Sequence, residues 1–266
     1  MARWDRLSFN LVVVGVTLLA VALLIAPTVI IFITSFTDSY SLQFPPESYS
    51  LRWYRELFNS PQILRAAWNS FEVAAIATTL CVLLGVPAAL HLHASRSRWA
   101  RFLDGLFMSP LVLPALAFGL ALVMVVTTAG FALSKTWLIV GHTIISVPFV
   151  LRTTIASLAR SDPALIESST SLGASPFMTF RRVTLPLIRP GIIAGAFLAF
   201  MWSFDNIPVS LFVSDARTEM LPIRLWQIIQ ASLDVRAAAA SGILVGLTLL
   251  CLVLFERAVG LSRHMR

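Results

Sequence analysis

Apolar runs too long for a soluble domain constrain this chain more than any other feature. They fall at roughly 11–34, 66–91, 103–127, 136–158, 187–212 and 238–259, and each reaches the ~20 residues that a helix needs to cross a bilayer. The expectation is an all-α polytopic membrane protein with six transmembrane helices. Charged residues make up 12% of the 266 positions, against ~25% in a soluble domain. That leaves room for one membrane domain and none for a large soluble one. The fifth run is the least clean, because it contains Asp205, Asn206 and Pro208.

The net charge of +7 rests on twenty basic residues, all arginine except Lys135. They lie mostly between the apolar runs, so they set orientation and are not read as a nucleic-acid surface. With both termini in the cytoplasm, the inner segments hold thirteen of the twenty: Arg3, Arg6, Arg96, Arg98, Arg101, Arg152, Arg160, Arg181, Arg182, Arg189, Arg257, Arg263 and Arg266. Seven remain outside, so residues 159–186 are expected in the cytoplasm. Arg3 and Arg6 precede an apolar run that is too long for a signal peptide and has no A-x-A site, which reads as an uncleaved anchor. Cys81 and Cys251 both sit in apolar runs and read as small buried hydrophobes. No cluster of His, Cys or carboxylates has metal spacing, and no nucleophile motif is found.

Two outer segments, 50–59 and 220–233, read as short helices at the membrane surface. The first would be capped by Ser50, with Leu51, Tyr54, Leu57 and Phe58 on one face. Small residues four apart mark close helix packing: Gly191 and Gly195 in the fifth run; Ala238, Gly242 and Gly246 in the sixth.

The cytoplasmic stretch ESSTSLGASPFMTFRRVTLP (167–186) is too polar to span a membrane. Ser161 or Asp162 would cap a helix with Pro163 in its first turn, and Gly173 would stop it in the left-handed conformation. Ser175 and Pro176 would start a second helix, ending at Leu185-Pro186 on the membrane face. Two short helices joined at a glycine form either a stiff bracket for a soluble partner or a plain connector.

The segment resembles the EAA loop of permease subunits in ATP-driven, binding-protein-dependent importers. Glu167-Ser168-Ser169, three residues, Gly173, nine residues, Val183, one residue and Leu185-Pro186 reproduce that spacing, with serines for both alanines and Val for Ile. Residues 51–58, 63–70, 203–215 and 221–226 extend the likeness to spermidine/putrescine-type permeases. The resemblance implies a type I importer fold and a coupling helix that docks on a separate ATP-binding subunit. Glu167, Ser168, Ser169, Leu172, Gly173, Leu185 and Pro186 would be its docking residues. It also implies a second permease subunit (a paralogue, giving a heterodimer), a periplasmic or extracellular solute-binding protein, and residence in the bacterial cytoplasmic membrane. ATP and Mg would sit on the partner, since G-x-x-x-x-G-K-[ST] is absent and this chain would carry no cofactor. Residues 1–60 would be an N-terminal transmembrane helix and periplasmic segment, and 61–259 a core permease domain with its coupling loop at about 161–186.

Asp205 is the first candidate for the substrate pathway. A carboxylate in mid-membrane costs on the order of 2.5–3.5 kcal/mol unless it faces an interior or aqueous cavity. Beside Trp202 and Phe204 it could hold an ammonium by charge and cation–π attraction; alternatively it caps a broken helix or pairs with Arg217 or Arg224. Asn206 stands where the polyamine group often has a second acid, and Glu72 is a further pathway candidate. Asn69 and Ser70 read as bonds between helices, and His142 as a packed, satisfied histidine. An ion-coupled carrier is the competing class; only one run looks broken, and such carriers usually break helices in both halves.

Overall fold

The structure is a computed structural model that describes residues 2–215, 217–231 and 235–259. The described residues are helical nearly throughout, and their only β feature is an isolated bridge between Thr37 and Tyr49. Five helices are long and apolar enough to cross a membrane, and a sixth span follows if one sharply bent pair counts as one. The chain divides into two compact units.

One unit comprises residues up to Leu64 together with Leu225–Leu254. Its helix α1 (Ala2–Thr34) leaves the side chains of residues 9–32 exposed, as a span facing lipid or another subunit would. Burial begins at its end, where Thr34, Ser35 and Thr37 are covered. Helix α2 (Arg52–Phe58) buries Trp53 and Leu57. Leu51 and Phe58, expected on that face, are 54% and 60% exposed, so the buried stripe is the i, i+4 pair alone. Leu51, not Ser50, is the cap residue, although Ser50 Oγ still accepts from the Arg52 N–H. Tyr54 Oη lies 2.6 Å from Ser35 Oγ. Both crowd Gly242 of the last described helix, where an added Cβ would sit 2.7 Å from the phenol oxygen. Gly246 has nothing within 4 Å and carries no such approach.

The other unit is built mainly from Arg65–Arg224. It holds most of α3 (Pro61–Ala94), then α4 (Arg98–Val112), α5 (Ala115–Thr128) and α6 (Lys135–Ala159). The segment after α6 supplies α7 (Pro163–Ser171) and α8 (Pro176–Thr179), followed by α9 (Leu185–Phe204) and α10 (Ile207–Val213). Helix α11 (Leu221–Ala231) starts here, and α12 (Val235–Val259) ends the described chain. The expected single span at 103–127 is instead α4 and α5, bent by 107°. Pro114 explains the break, since it lacks an N–H and forces Leu113 into extended backbone (φ −74°, ψ 139°). Two runs are therefore broken, not one.

The two broken runs meet. A Cβ on Gly119 of α5 would lie 2.9 Å from both the Pro208 carbonyl and the Phe212 ring of α10. On the other side α9 lies against α6 with almost no gap. A Cβ at Gly191 would sit 2.5 Å from the Thr153 carbonyl, and one at Gly195 2.6 Å from Val150 Cα. Such contact replaces the hydrophobic drive that lipid removes. One core cluster gathers Val73, Leu138, Ile145, Val209, Val213 and Met220; a second gathers Cys81, Val147, Val150, Leu158, Ile188 and Ala199. Cys81 is thus a core residue, while Cys251 is only half-buried.

Candidate functional sites

The segment at 161–186 folds as its caps dictate. Asp162 accepts from the Ala164 N–H at 2.9 Å, with Pro163 in the first turn of α7. At the far end Gly173 has φ +80°, its N–H bonds the Thr170 carbonyl, and the Ala174 N–H bonds the Ser169 carbonyl. That is a Schellman closure, which satisfies the last carbonyls of the helix. Ser175 then caps α8 through the Met178 N–H, with Pro176 in the first turn. Ser169 Oγ and Thr179 Oγ1 are 3.0 Å apart and tie the two short helices together. Ser168 turns inward to its own helix, donating to the Ala164 carbonyl at 2.6 Å.

The second short helix does not stop at Leu185-Pro186. It runs through a π-helical turn at 180–184 straight into α9, giving one helix from Pro176 to Phe204. Pro186 has no N–H for the carbonyl four residues back and would clash with it in a regular helix. The wide turn relieves both problems, because the Leu185 N–H reaches five residues back to Phe180. The bracket is therefore the rigid end of a membrane helix. No residue of α7 is buried. Leu172 is 88% exposed and Phe177 70%, and Glu167 is exposed beside them.

The second candidate site is the break between α9 and α10. Asp205 closes α9 as its C-terminal cap and is exposed. Asn206 is buried, and its Oδ1 accepts from the Val209 N–H at 2.9 Å, so it caps α10. Pro208 lies in the first turn of α10, where its missing N–H costs nothing; it starts a helix and does not weaken one. Trp202 and Phe204 engage different neighbours. Trp202 packs on Phe149 with ring centroids 5.4 Å apart, while Phe204 stacks on Phe200, which meets Phe71 of α3 at 5.9 Å. The two rings do not form one cage around the Asp205 carboxylate.

Below the break lies a bond pair that sequence reading missed. His142 of α6 is fully buried, with Nδ1 2.8 Å from Ser203 Oγ and Nε2 3.1 Å from Ser210 Oγ. The first serine belongs to α9 and the second to α10, so one imidazole holds both sides of the gap. A neutral ring donates through one nitrogen and accepts through the other, which fixes opposite roles for the two hydroxyls. The histidine was expected to be satisfied; its partners became legible only once α10 was placed.

Glu72 is engaged by Lys135 at 2.8 Å, which joins α3 to the first turn of α6. The Asn69 amide donates to the carbonyls of Arg217 and Glu219, and Ser70 Oγ accepts from the Leu221 N–H at 2.8 Å. Ser70 thus caps α11 from another helix. Asp215 folds the connection before it, held below the usual carboxylate range chiefly by the Thr218 hydroxyl and then by the backbone N–H groups of Thr218 and Arg217. The described residues contain no group of three potential metal ligands.

Residues 81–262 match the family described as "Binding-protein-dependent transport system inner membrane component". The chain is 29% identical to the spermidine/putrescine transport system permease protein PotC of Haemophilus influenzae over 244 residues, covering 91% of this chain and 94% of that one. It is 34% identical to the molybdenum transport system permease protein ModB of Mycobacterium tuberculosis over 204 residues, 71% of this chain and 76% of that one. In fold it is similar to a chain of a bacterial ABC transporter that imports alginate, with TM-score 0.72, 15% identity and 99% of both chains covered. A family match over more than half of the chain agrees with the apolar helices, and the chain belongs to the inner membrane components of binding-protein-dependent transport systems.

Proposed function

We propose that this chain is one half of a permease pair in an ATP-driven importer and that its preferred substrate is a small organic cation, a polyamine first. ATP and Mg would be bound by a partner subunit docked on the 162–186 bracket, and a solute-binding protein would deliver substrate on the other side. Residues 61–259 would form the core and 1–60 an appended span. Closure of the ATP-binding subunits would push α7, and the unbroken helix from Pro176 to Phe204 would carry the displacement to the Asp205 break. The observation that carries this reading is the bracket itself: a capped, cross-linked helix pair with no buried residue in α7, rigidly continuous with a span.

The polyamine preference rests on the relatives' names and on the exposed Asp205 carboxylate at the break. A second reading, an oxyanion substrate, draws on the identity to the molybdenum permease; a lone carboxylate in the pathway opposes it. The broken pair α4–α5 removes the one-broken-run argument against an ion-coupled carrier. Family membership decides against that class instead.

The test is ATPase activity and uptake by the reconstituted complex with loaded binding protein, comparing wild type with Glu167→Lys and Gly173→Pro. Proline cannot adopt φ +80°, so the second variant distorts the bracket without touching the membrane core. Substrate-stimulated ATPase should collapse in both variants while subunit assembly persists or weakens in step. Normal coupling in both would reduce the segment to a connector. Competition for uptake by spermidine, putrescine and molybdate separates the two substrate readings.

A further inference from the structure

Four helices meet at Gly141 and His142. A Cβ on Gly141 of α6 would lie 2.6 Å from Leu122 Cδ2 of α5 and 3.0 Å from Val209 Cγ1 of α10. The next residue, His142, makes the side-chain hydrogen bonds that join α6 to Ser203 of α9 and to Ser210 of α10. Only Asp205 and Asn206 separate those two helices. Across this link the backbone bond from the Asn206 N–H to the Ser203 carbonyl is stretched to 3.4 Å. The shorter bonds of His142 therefore hold the angle between α9 and α10 more firmly than the link does.

The other ends of α6 and α9 give this joint a purpose. Helix α6 ends at Ala159, just before α7 begins at Pro163, and α9 is the continuation of the helix that starts at Pro176. Both arms of the 162–186 bracket are thus the ends of spans. Those spans touch backbone to backbone, since a Cβ at Gly191 would meet the Thr153 carbonyl and one at Gly195 would meet Val150 Cα. Contacts this close transmit a displacement and do not absorb it. The α6–α9 pair stays together up to the bond between His142 and Ser203, ~25 Å of helix from Ala159. Beyond that point a displacement either passes to α10 or is taken up by rotation at the two-residue link. The bond from His142 Nε2 to Ser210 Oγ, 3.1 Å long, decides between the two.

We propose that His142 is a positioning residue for transport, which locks α10 to the α6–α9 pair so that displacement of the bracket moves α10 and the Asp205 carboxylate in step with ATP hydrolysis. The inference rests on the reading of the bracket as a docking site and concerns what happens beyond it.

The experiment measures ATP hydrolysis and substrate uptake together, in proteoliposomes that hold the complete complex with loaded binding protein. The probe is labelled spermidine, or labelled molybdate if the competition above selects it. Ser210→Ala and His142→Asn both remove the Nε2 bond; the asparagine amide reaches only as far as Nδ1 and keeps Ser203. Each should hold stimulated ATPase within about twofold of wild type and lower the substrate moved per ATP about tenfold, the population shift expected from one buried hydrogen bond. The double variant should be no worse than either single one, because both lose the same bond. His142→Gln, whose amide reaches the place of Nε2, should recover most of the loss.

A histidine that serves stability alone gives a different pattern, with ATPase and uptake falling in parallel and their ratio constant. A constant ratio in Ser210→Ala overturns the proposal, as does an additive loss in the double variant. A ratio in His142→Gln no better than in His142→Asn assigns the effect to ring packing and overturns it too. If His142→Asn does not assemble, Ser210→Ala, which removes a single oxygen atom, still decides. Failure of the docking reading shows elsewhere, as normal stimulation of ATPase in Glu167→Lys and Gly173→Pro.

Discussion

At the scale of single residues, two side chains near the break have opposite situations and predict opposite phenotypes. His142 is fully buried and holds Ser203 and Ser210, on either side of the gap. Removing the ring leaves two buried hydroxyls without that partner, each at about 1–3 kcal/mol. His142→Ala should therefore lower the unfolding midpoint of the purified complex by roughly 5 °C or more, and differential scanning fluorimetry in detergent would read it. An unchanged midpoint would mean the break holds without the histidine. Asp205 is exposed and caps only with its backbone. Asp205→Asn should leave the midpoint within a degree or so but cut polyamine uptake several-fold, measured with labelled spermidine in proteoliposomes. Uptake at wild-type level would remove Asp205 from the pathway. The sequence marked both residues as unusual because polar groups in apolar runs are costly. It could not tell their roles apart, since that depends on where α10 packs.

At the scale of elements, legibility followed the chemistry of helix ends. The caps at Asp162 and Ser175, the prolines after them and the stop at Gly173 were readable because each acts through neighbours in the chain. The continuation through Pro186 was not, because a π turn removes the clash that usually ends a helix there. The α4–α5 break hid inside a run long enough to read as one span, although Pro110 and Pro114, four apart, carried the signal. The small-residue spacing at Gly191 and Gly195 did predict the closest packing, that of α9 on α6. Its strength can be tested. A Cβ at Gly195 would lie 2.3 Å from Thr153 Oγ1 and 2.6 Å from Val150 Cα, and the second contact is backbone. Gly195→Leu should force the helices apart, at a cost of about 1–3 kcal/mol or more, and reduce the yield of assembled complex on size exclusion. Thr153→Ala should not rescue it, because the Val150 contact remains.

At the scale of the whole molecule, charge placement decides which side of the membrane the bracket occupies, and coupling to ATP hydrolysis depends on it. With six crossings, thirteen basic residues fall on the side of residues 159–186 and seven on the other. Short loops rich in arginine stay in the cytoplasm, so Thr170 in α7 and Glu47 before α2 must face opposite compartments. The α4–α5 bend does not change this parity if the pair makes one crossing, as its combined length allows. Two single-cysteine variants, Thr170→Cys and Glu47→Cys, in a background with Cys81 and Cys251 replaced by alanine, read it directly. A membrane-impermeant maleimide applied to intact spheroplasts should label the cysteine at 47 and spare the one at 170 until the cells are broken. The reverse pattern would put the bracket outside, where no ATP-driven subunit could reach it, and would leave the exposed Leu172 and Phe177 without the partner proposed for them. Labelling of both in intact cells would mean that the bent pair does not cross, and that the parity of the chain has to be counted with five spans.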